Sequence, residues 1–564
     1  FPLPNCNHTM QRRKKNSPEI SSGAEDDAET GLTHTGTRKV KRCTIFGLAL
    51  LGVGVIALLV TVYYSVDWTV RKFRPPVETS SKWVHQNNAA KERERQTKPL
   101  PQPWKIRPKP PAKKLPSNTK CQEKPQLNRQ LLDKSLALGT KFLLEHQKSF
   151  GNFDYEYDWT TGVNTDDDME VRQAGALWGL SLIFHDMIDT FDNEDVDGVR
   201  VLHIVAVHLL RGFEYFIMQN SEVLEFNGVT MRYIMYPGTK KHGIGTMGLV
   251  SLALVEFLRA TGGNVPEYVK MKLVSPHKRE ELESYLRQLL AFLVTSHSST
   301  PNQSLEDRFY TWNKLISAAN WKSWQIQEDP YKQIEDGGGY FLQSYDNDGV
   351  SSGGSSSYYD GECLLAIIKA AKYLDYNFLF PIAVGTAKSL HHRHVTMALK
   401  EDEDSANTKG FYQWSSMAFY ELATVEFEES EKYYDNFRFG SWLVDLALWM
   451  VDVHRTLGRA KNTGYAYEGI VPAWSYAATF GSNTGTAQHL HCTIEEGMAR
   501  LISWQVGMGL VENNVEDWDG KTGLGGVQNS RKEPGLRIDT TQHQMHATIL
   551  ARRLVYPEPN TWPW

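Results

Sequence analysis

Beyond residue 123 the apolar positions follow a helical period, recurring at i, i+3 and i+4, as at Leu249, Leu252, Ala253 and Phe257. Read for that period, the helical segments fall into pairs: 131–147 before 171–187, 199–217 before 244–260, 278–296 before 361–374, 380–400 before 414–425, 433–457 before 470–479, and 493–507 before 543–555. The second member of each pair opens on acid, aromatic, His or Gly residues that the first member lacks. These openings are Asp166-Asp167-Asp168-Met169-Glu170-Val171-Arg172, Tyr236-Pro237-Gly238 running on to His242-Gly243, Tyr358-Tyr359-Asp360-Gly361-Glu362, Gly410-Phe411-Tyr412-Gln413-Trp414, Gly464-Tyr465-Ala466-Tyr467-Glu468-Gly469, and Asp539-Thr540-Thr541-Gln542-His543. An ordinary soluble helix starts on one small polar cap with an acid in its first turn. Aromatics beside carboxylates at all six openings exceed that need. They predict helix N-termini that converge on one polar, aromatic-lined pocket. Gly-rich polar stretches between pair members, such as Glu335-Asp336-Gly337-Gly338-Gly339-Tyr340, predict short hairpins.

Upstream of these pairs the pattern changes. Residues 1–42 are polar with basic clusters and predict a disordered tail. Residues 43–66 carry no charge, enough for a transmembrane helix at about 20 residues per span. Residues 67–122 are rich in Lys, Arg and Pro and predict an extended stem. Arg38, Lys39, Lys41 and Arg42 precede the apolar run, and Arg71, Lys72 and Arg74 follow it. The balance tilts weakly toward a cytosolic N-terminus and a domain in the lumen (Golgi or ER) or outside the cell. In that orientation Asn302-Gln303-Ser304 is a glycosylation sequon, whereas Asn7-His8-Thr9 is a useless one.

Composition narrows the function classes. The chain has 564 residues, 41% hydrophobic and 23% charged, which suits a large globular core. A net charge of -5, without a basic stripe interleaved with aromatics in the C-terminal part, gives no sign of a nucleic-acid partner. Sixteen Trp and 25 Tyr suit the covering of an extended ligand, and equally the packing of a large helical core. Five cysteines match neither a zinc ribbon nor a disulfide-rich scaffold.

Helical hairpins in series either stack as a solenoid or close into a ring. The variable repeat lengths and long insertions disfavour a uniform solenoid. Six hairpins with acids and aromatics at the inner openings resemble the (α/α)6 toroid of the six-hairpin glycosidases and of related sugar epimerases and lyases. The resemblance implies an all-α domain over residues 123–564 with short β-hairpin insertions. It also implies a glycan or polysaccharide bound at the N-terminal ends of the inner helices.

Glycoside hydrolysis needs one protonated carboxyl and a second carboxylate that activates water or attacks; uronate chemistry needs a base and a cation on the sugar carboxylate. Glu362 precedes the apolar run Cys363-Leu364-Leu365-Ala366, so it is drawn inward and its pKa is expected to rise, fitting a general acid. Asp168 and Asp539 are the expected base or nucleophile, with His543 a proton partner. Glu170, Arg172, Tyr359, Trp414, Tyr465 and Glu468 are expected against substrate. Each has a structural alternative: Asp166 and Asp539 as caps, Glu170 and Glu362 as first-turn acids, Arg172 in an ion pair, His543 and His546 as satisfied helix residues. Asp346-Asn347-Asp348-Gly349 lacks the acid of a calcium loop at Ser357 and predicts a β-turn. His391-His392-Arg393-His394 predicts an exposed stretch of outer helix. Zinc on Cys363, His491 and Cys492 is the weaker reading of those residues, and no metal or cofactor is expected. Hydrolysis leads, a uronate epimerase or lyase follows, and a non-catalytic glycan- or peptide-binding toroid or a prenyltransferase-like or terpene-cyclase-like toroid are the rivals.

Overall fold

A computed structural model of the protein describes residues 121, 127–190, 196–263, 266–300, 304–318, 339–425, 436–481, 483–508, 523–530 and 532–557. The expected tail, membrane helix and nearly all of the stem lie outside these residues, as do Asn302, Gln303 and Glu335–Gly338.

The main helices are α1 (Arg129–Glu145), α2 (Glu170–Asp189), α3 (Val196–Phe213), α4 (Ile244–Gly262), α5 (Glu267–Leu273), α6 (Pro276–Thr295), α7 (Leu305–Ala318), α8 (Ser357–Tyr373), α9 (Phe380–His391), α10 (Ala406–Ala423), α11 (Asn436–Leu448), α12 (Gly464–Phe480), α13 (Thr484–Ile502) and α14 (Ile538–Leu554). Helix α2 packs on α4, α4 on α8, α8 on α10, α10 on α12, α12 on α14, and α14 back on α2. That cycle is a closed inner ring. Helices α1, α3, α6, α9, α11 and α13 pack on its outside. The fold is an all-α (α/α)6 toroid with short β insertions, paired as the sequence predicts.

Burial explains the two layers. Helix α4 is buried over nearly its whole length, as a helix apolar on all sides must be. It lies against α8 at close range, since a Cβ on Gly248 would meet the Cys363 backbone nitrogen at 3.0 Å. Outer helices such as α6 bury one face and turn Glu, Lys and Arg outward. Among the described residues two helices, Gly198–Gln219 and Ile244–Gly262, are long and apolar enough to cross a membrane; both are walls of the toroid.

The ring has a polar end and a locked end. At the C-terminal ends of the inner helices, Glu256 of α4 binds His185 of α2 at 2.6 Å and Lys369 of α8. Lys372 of α8 binds Glu421 of α10 at 2.6 Å, and Asp186 of α2 pairs with Arg552 and Arg553 of α14. Apart from the part-exposed Arg553 these groups are buried, and all are paired, which is the condition on which buried charge is tolerated.

Short strands fix the other end. Strand β1 (Glu156–Asp158) pairs antiparallel with β2 (Val163–Asn164) and with β8 (Gly535–Arg537), which leads directly into α14. Strands β3 (Ser221–Phe226) and β4 (Val229–Ile234) form a hairpin turned at Asn227-Gly228, both at positive φ. Strand β5 (Lys241–Gly243) leads into α4 and pairs with β6 (Ser344–Asp346), which pairs with β7 (Ser351–Ser352). Asp346–Gly349 is the expected turn: Gly349 N donates to Asp346 O, and the Asp346 carboxylate accepts from Asp348 and Val350.

One weaker reading falls away and one expectation changes in part. Cys492 is disulfide-bonded to Cys121, and Cys363 is buried on inner helix α8, donating to Ile244 O, so the three residues do not converge on a zinc site. His394 is buried and bonds Asp360 at 3.0 Å, while His391 stacks on Trp442 with ring centroids 3.8 Å apart. The run is thus split: His392 and Arg393 stand exposed as expected, while His391 and His394 pack, His394 from within a π-helical turn at His392–Met397.

Candidate active site

All six clusters lie at one end of the ring, mostly inside the first turns of the helices rather than before them. Helices α10, α12 and α14 begin at Ala406, Gly464 and Ile538, earlier than the apolar period alone marks. Inner helices α2, α4, α10, α12 and α14 start without a side-chain cap, unlike α1, α6 and α13, which use Asn128, Ser275 and Asn483. The strand segments satisfy some of these free amides instead, with Ile244 N donating to Gln343 O and Ile538 N to Tyr155 O. Asp166 is exposed and caps nothing; the N-cap position of α2 is Met169.

Contacts between openings run around the mouth. Tyr236 OH donates to Asp168 at 2.7 Å, and Asp168 also accepts from Gln173 Nε2 at 2.8 Å. Gln173 in turn holds the Phe153 backbone through both of its amide atoms. Glu170 Oε1 accepts from Gly243 N at the start of α4. His242 accepts the Tyr236 amide at Nδ1 and meets Asn347 at 3.0 Å through Nε2. Arg172 reaches Tyr155 OH and lies 3.2 Å from Asp539. Asp539 also takes a two-pronged contact from Arg537. Burial raises the Asp539 pKa, but Arg537 and Arg172 outweigh it and hold the carboxyl down to about 2.

Glu362 is the opposite case. It is 3% exposed and its Oε2 has no partner among the described residues. Burial pushes its pKa from 4.5 up to about 8. The space it fills comes from α4. A Cβ on Gly245 would stand 2.0 Å from Glu362 Oε2 and 2.5 Å from a Tyr359 ring carbon. A Cβ on Gly243 would stand 3.1 Å from Glu170 Oε1 and 3.2 Å from Tyr359 OH. The Gly-Ile-Gly opening of α4 is thus a notch shared by Glu170, half-buried Tyr359 and Glu362.

Across the ring, fully buried Glu468 faces His546 at 3.0 Å and His543 at 3.4 Å, with Gln413 Nε2 3.0 Å from His543 Nδ1. Burial raises the Glu468 pKa, but the two histidines bring it below the ordinary carboxylate value. Tyr465 is half-buried at the rim. Trp414 lies deeper, 4% exposed, with its ring 5.2 Å from Trp178; Trp178 also meets His546. These aromatics fill the throat below the mouth.

The structure therefore joins Glu170, Tyr359 and Glu362 in one group, Arg172 and Asp539 in a second, and Glu468 and His543 in a third. The sequence reading missed the Gly243–Gly245 notch, although two glycines in the first turn of an otherwise apolar helix were a signal of close approach. It also missed Arg537, two residues before Asp539.

No protein-family model matches the chain, and no curated protein matches it. Among solved structures, it is similar to a family 76 glycoside hydrolase (mannosidase) from Bacteroides thetaiotaomicron, at 12% identity and TM-score 0.31, over 75% of this chain and 99% of that one. It is also similar to an inactive variant of an alpha-1,6-mannanase from Salegentibacter in complex with alpha-1,6-mannotetrose, at 10% identity and TM-score 0.31, over 76% of this chain and 100% of that one. No residue role is taken from either; the toroid stands on the chain's own closed ring of helices.

Proposed function

We propose that the chain is a carbohydrate-active enzyme that hydrolyses glycosidic bonds at the mouth of its toroid, with Glu362 as general acid. One observation carries this reading: a buried, unpartnered carboxyl at the polar end of the ring, with a pKa of about 8, set in a notch beside a half-buried tyrosine and a second carboxylate. A carboxyl kept protonated near neutral pH can donate to a leaving oxygen. Asp168 and Asp539 orient the neighbours they bind, Tyr236 and Gln173 for the first and two arginines for the second. Arg172, Tyr359, Tyr465 and His543 are the surrounding contacts for sugar hydroxyls, with buried Glu468 orienting His543.

Uronate epimerisation or elimination fits less well, because Arg172 and Arg537 already neutralise Asp539 rather than await a sugar carboxylate. A membrane-anchored enzyme with its domain on the lumenal or outer side remains our reading of residues 43–66. The Cys121–Cys492 disulfide supports that side, since such bonds persist in oxidising compartments.

The test is release of reducing sugar by the full chain in detergent from a polysaccharide panel that includes alpha-1,6-mannan. Cleavage of at least one member that is lost in Glu362→Gln supports the reading; unchanged turnover in that variant removes Glu362 from the mechanism.

A further inference from the structure

Two histidines share Glu468, and one of them opens to the mouth. His546 Nδ1 lies 3.0 Å from Glu468 Oε1, and its ring is buried against Trp178. His543 meets the same oxygen at 3.4 Å and the Gln413 amide at 3.0 Å, both through Nδ1. The His543 side chain is 22% exposed, and Nε2, without a hydrogen-bond partner among the described residues, is the ring nitrogen left open. Glu468 is ionised despite its burial, because the two histidines outweigh it. A lone pair on Nδ1 would face that charge, so the proton sits on Nδ1 and the Gln413 amide turns its oxygen to it. Nε2 then carries the lone pair, an acceptor held in place at the mouth. Glu468 Oε2 has no partner among the described residues, so the carboxylate has charge to spare for an imidazolium.

The neighbouring carboxylates offer less. Asp168 is bonded at both oxygens, Oδ1 by Gln173 and the Met169 amide and Oδ2 by Tyr236. Asp539 is bonded at both by Arg537. Glu170 Oε1 takes the Gly243 amide, and its Oε2 is buried beside His242. Asp166 and Asp167 stand exposed ahead of α2, where water rather than the fold sets their position. Position also favours His543. Helix α8 neighbours α4 and α10, and α14 neighbours α12 and α2, so Glu362 and His543 rise from opposite sides of the ring. Trp414 lies between: a Cβ on Gly361 would stand 2.5 Å from its Cβ, and its ring centroid is 6.4 Å from that of His543.

We propose that His543 is the second catalytic residue, a general base that takes a proton from the attacking water at Nε2, with Glu468 as its positioning residue. The inference rests on the glycoside hydrolase reading and adds inversion at the anomeric carbon, since water attacks from the side opposite the acid. In the step, water gives one proton to Nε2 as its oxygen bonds the anomeric carbon. The glycosidic C–O bond breaks with its electron pair, and the leaving oxygen takes the proton of Glu362. One water is consumed. The imidazolium faces Glu468 until proton exchange with solvent resets both groups.

The experiment uses the full chain in detergent and whichever panel polysaccharide the wild type cleaves. Proton NMR of the first product is expected to show the inverted anomer. His543→Ala is expected to lower kcat by roughly 10²–10⁴-fold with the melting temperature kept, and His543→Gln, which preserves bulk, to do the same. Added imidazole should restore turnover to His543→Ala, which a merely structural role would not allow. Glu468→Gln should lower kcat in the wild-type background but not further in His543→Ala, because it acts through the histidine. A retained anomer, turnover within about tenfold of wild type in both His543 variants, or no rescue by imidazole overturns the assignment and leaves hydrolysis standing. If the wild type cleaves no panel member, the hydrolase reading fails and takes this assignment with it.

Discussion

Replacing Glu362 by Gln tests the burial of one proton. The side chain keeps its shape and loses its titratable proton. In the folded chain burial holds this carboxyl at about 8 against an ordinary value of 4.5. At about 1.4 kcal/mol per pKa unit that gap corresponds to something on the order of 5 kcal/mol, an upper value because water entering the mouth would relieve part of it. The folded state binds the proton more tightly than the unfolded chain. The contribution is therefore fully present below pH 4.5 and lost progressively as pH rises through about 8. Glu362→Gln has no such proton to lose. Urea denaturation of both proteins near pH 5 and near pH 9 isolates the difference, since every other titrating group is shared. The wild type should lose several kcal/mol relative to the variant between those pH values, and the variant's turnover should fall by roughly 10²–10⁴-fold. Parallel stability profiles would show that the carboxyl ionises at an ordinary pH, which would refute its role as a neutral acid.

Gly245→Ala places a Cβ 2.0 Å from Glu362 Oε2, and should cost about 1–3 kcal/mol in melting experiments while depressing turnover by displacing the acid. Asp539→Asn leaves Arg537 and Arg172 facing a neutral amide, at a cost of about 3–5 kcal/mol by denaturation at pH 7. The wild-type Asp539 contribution is present above its ordinary pKa of 3.8 and lost as pH falls through about 2, so the variant should lack that acid-side slope. Cys492→Ser opens the bond to Cys121 and should lower stability by at most about 5 kcal/mol, with reductant no longer changing the melting temperature.

Much of the ring was legible in the sequence because its cause is periodic. An inner helix is apolar on nearly all sides between its two ends, and residues 244–255 carry that mark plainly. The openings stood out because their aromatics and acids break the period. Helix starts were less legible: Gly464-Tyr465-Ala466-Tyr467-Glu468 has no outward polar face, yet it forms the first turns of α12 under tertiary packing. The Asn227-Gly228 hairpin was signalled by its turn dipeptide. Pairing across the ring was not legible. Nothing local says that Asp539 meets Arg172, or that Glu170 shares a notch with Glu362, since those contacts join residues far apart in the chain. The buried charge belt at the opposite end was invisible for the same reason. Lys369, Lys372 and Glu421 carry no local sign of burial; the ring brings them together.

The most direct measurement is a structure of the full chain carrying Glu362→Gln, soaked with an oligosaccharide that the wild type cleaves. A sugar ring is expected at the mouth of the toroid, with its glycosidic oxygen at the substituted amide of position 362. A sugar bound elsewhere on the toroid, away from the substituted side chain, would contradict the proposed role of Glu362.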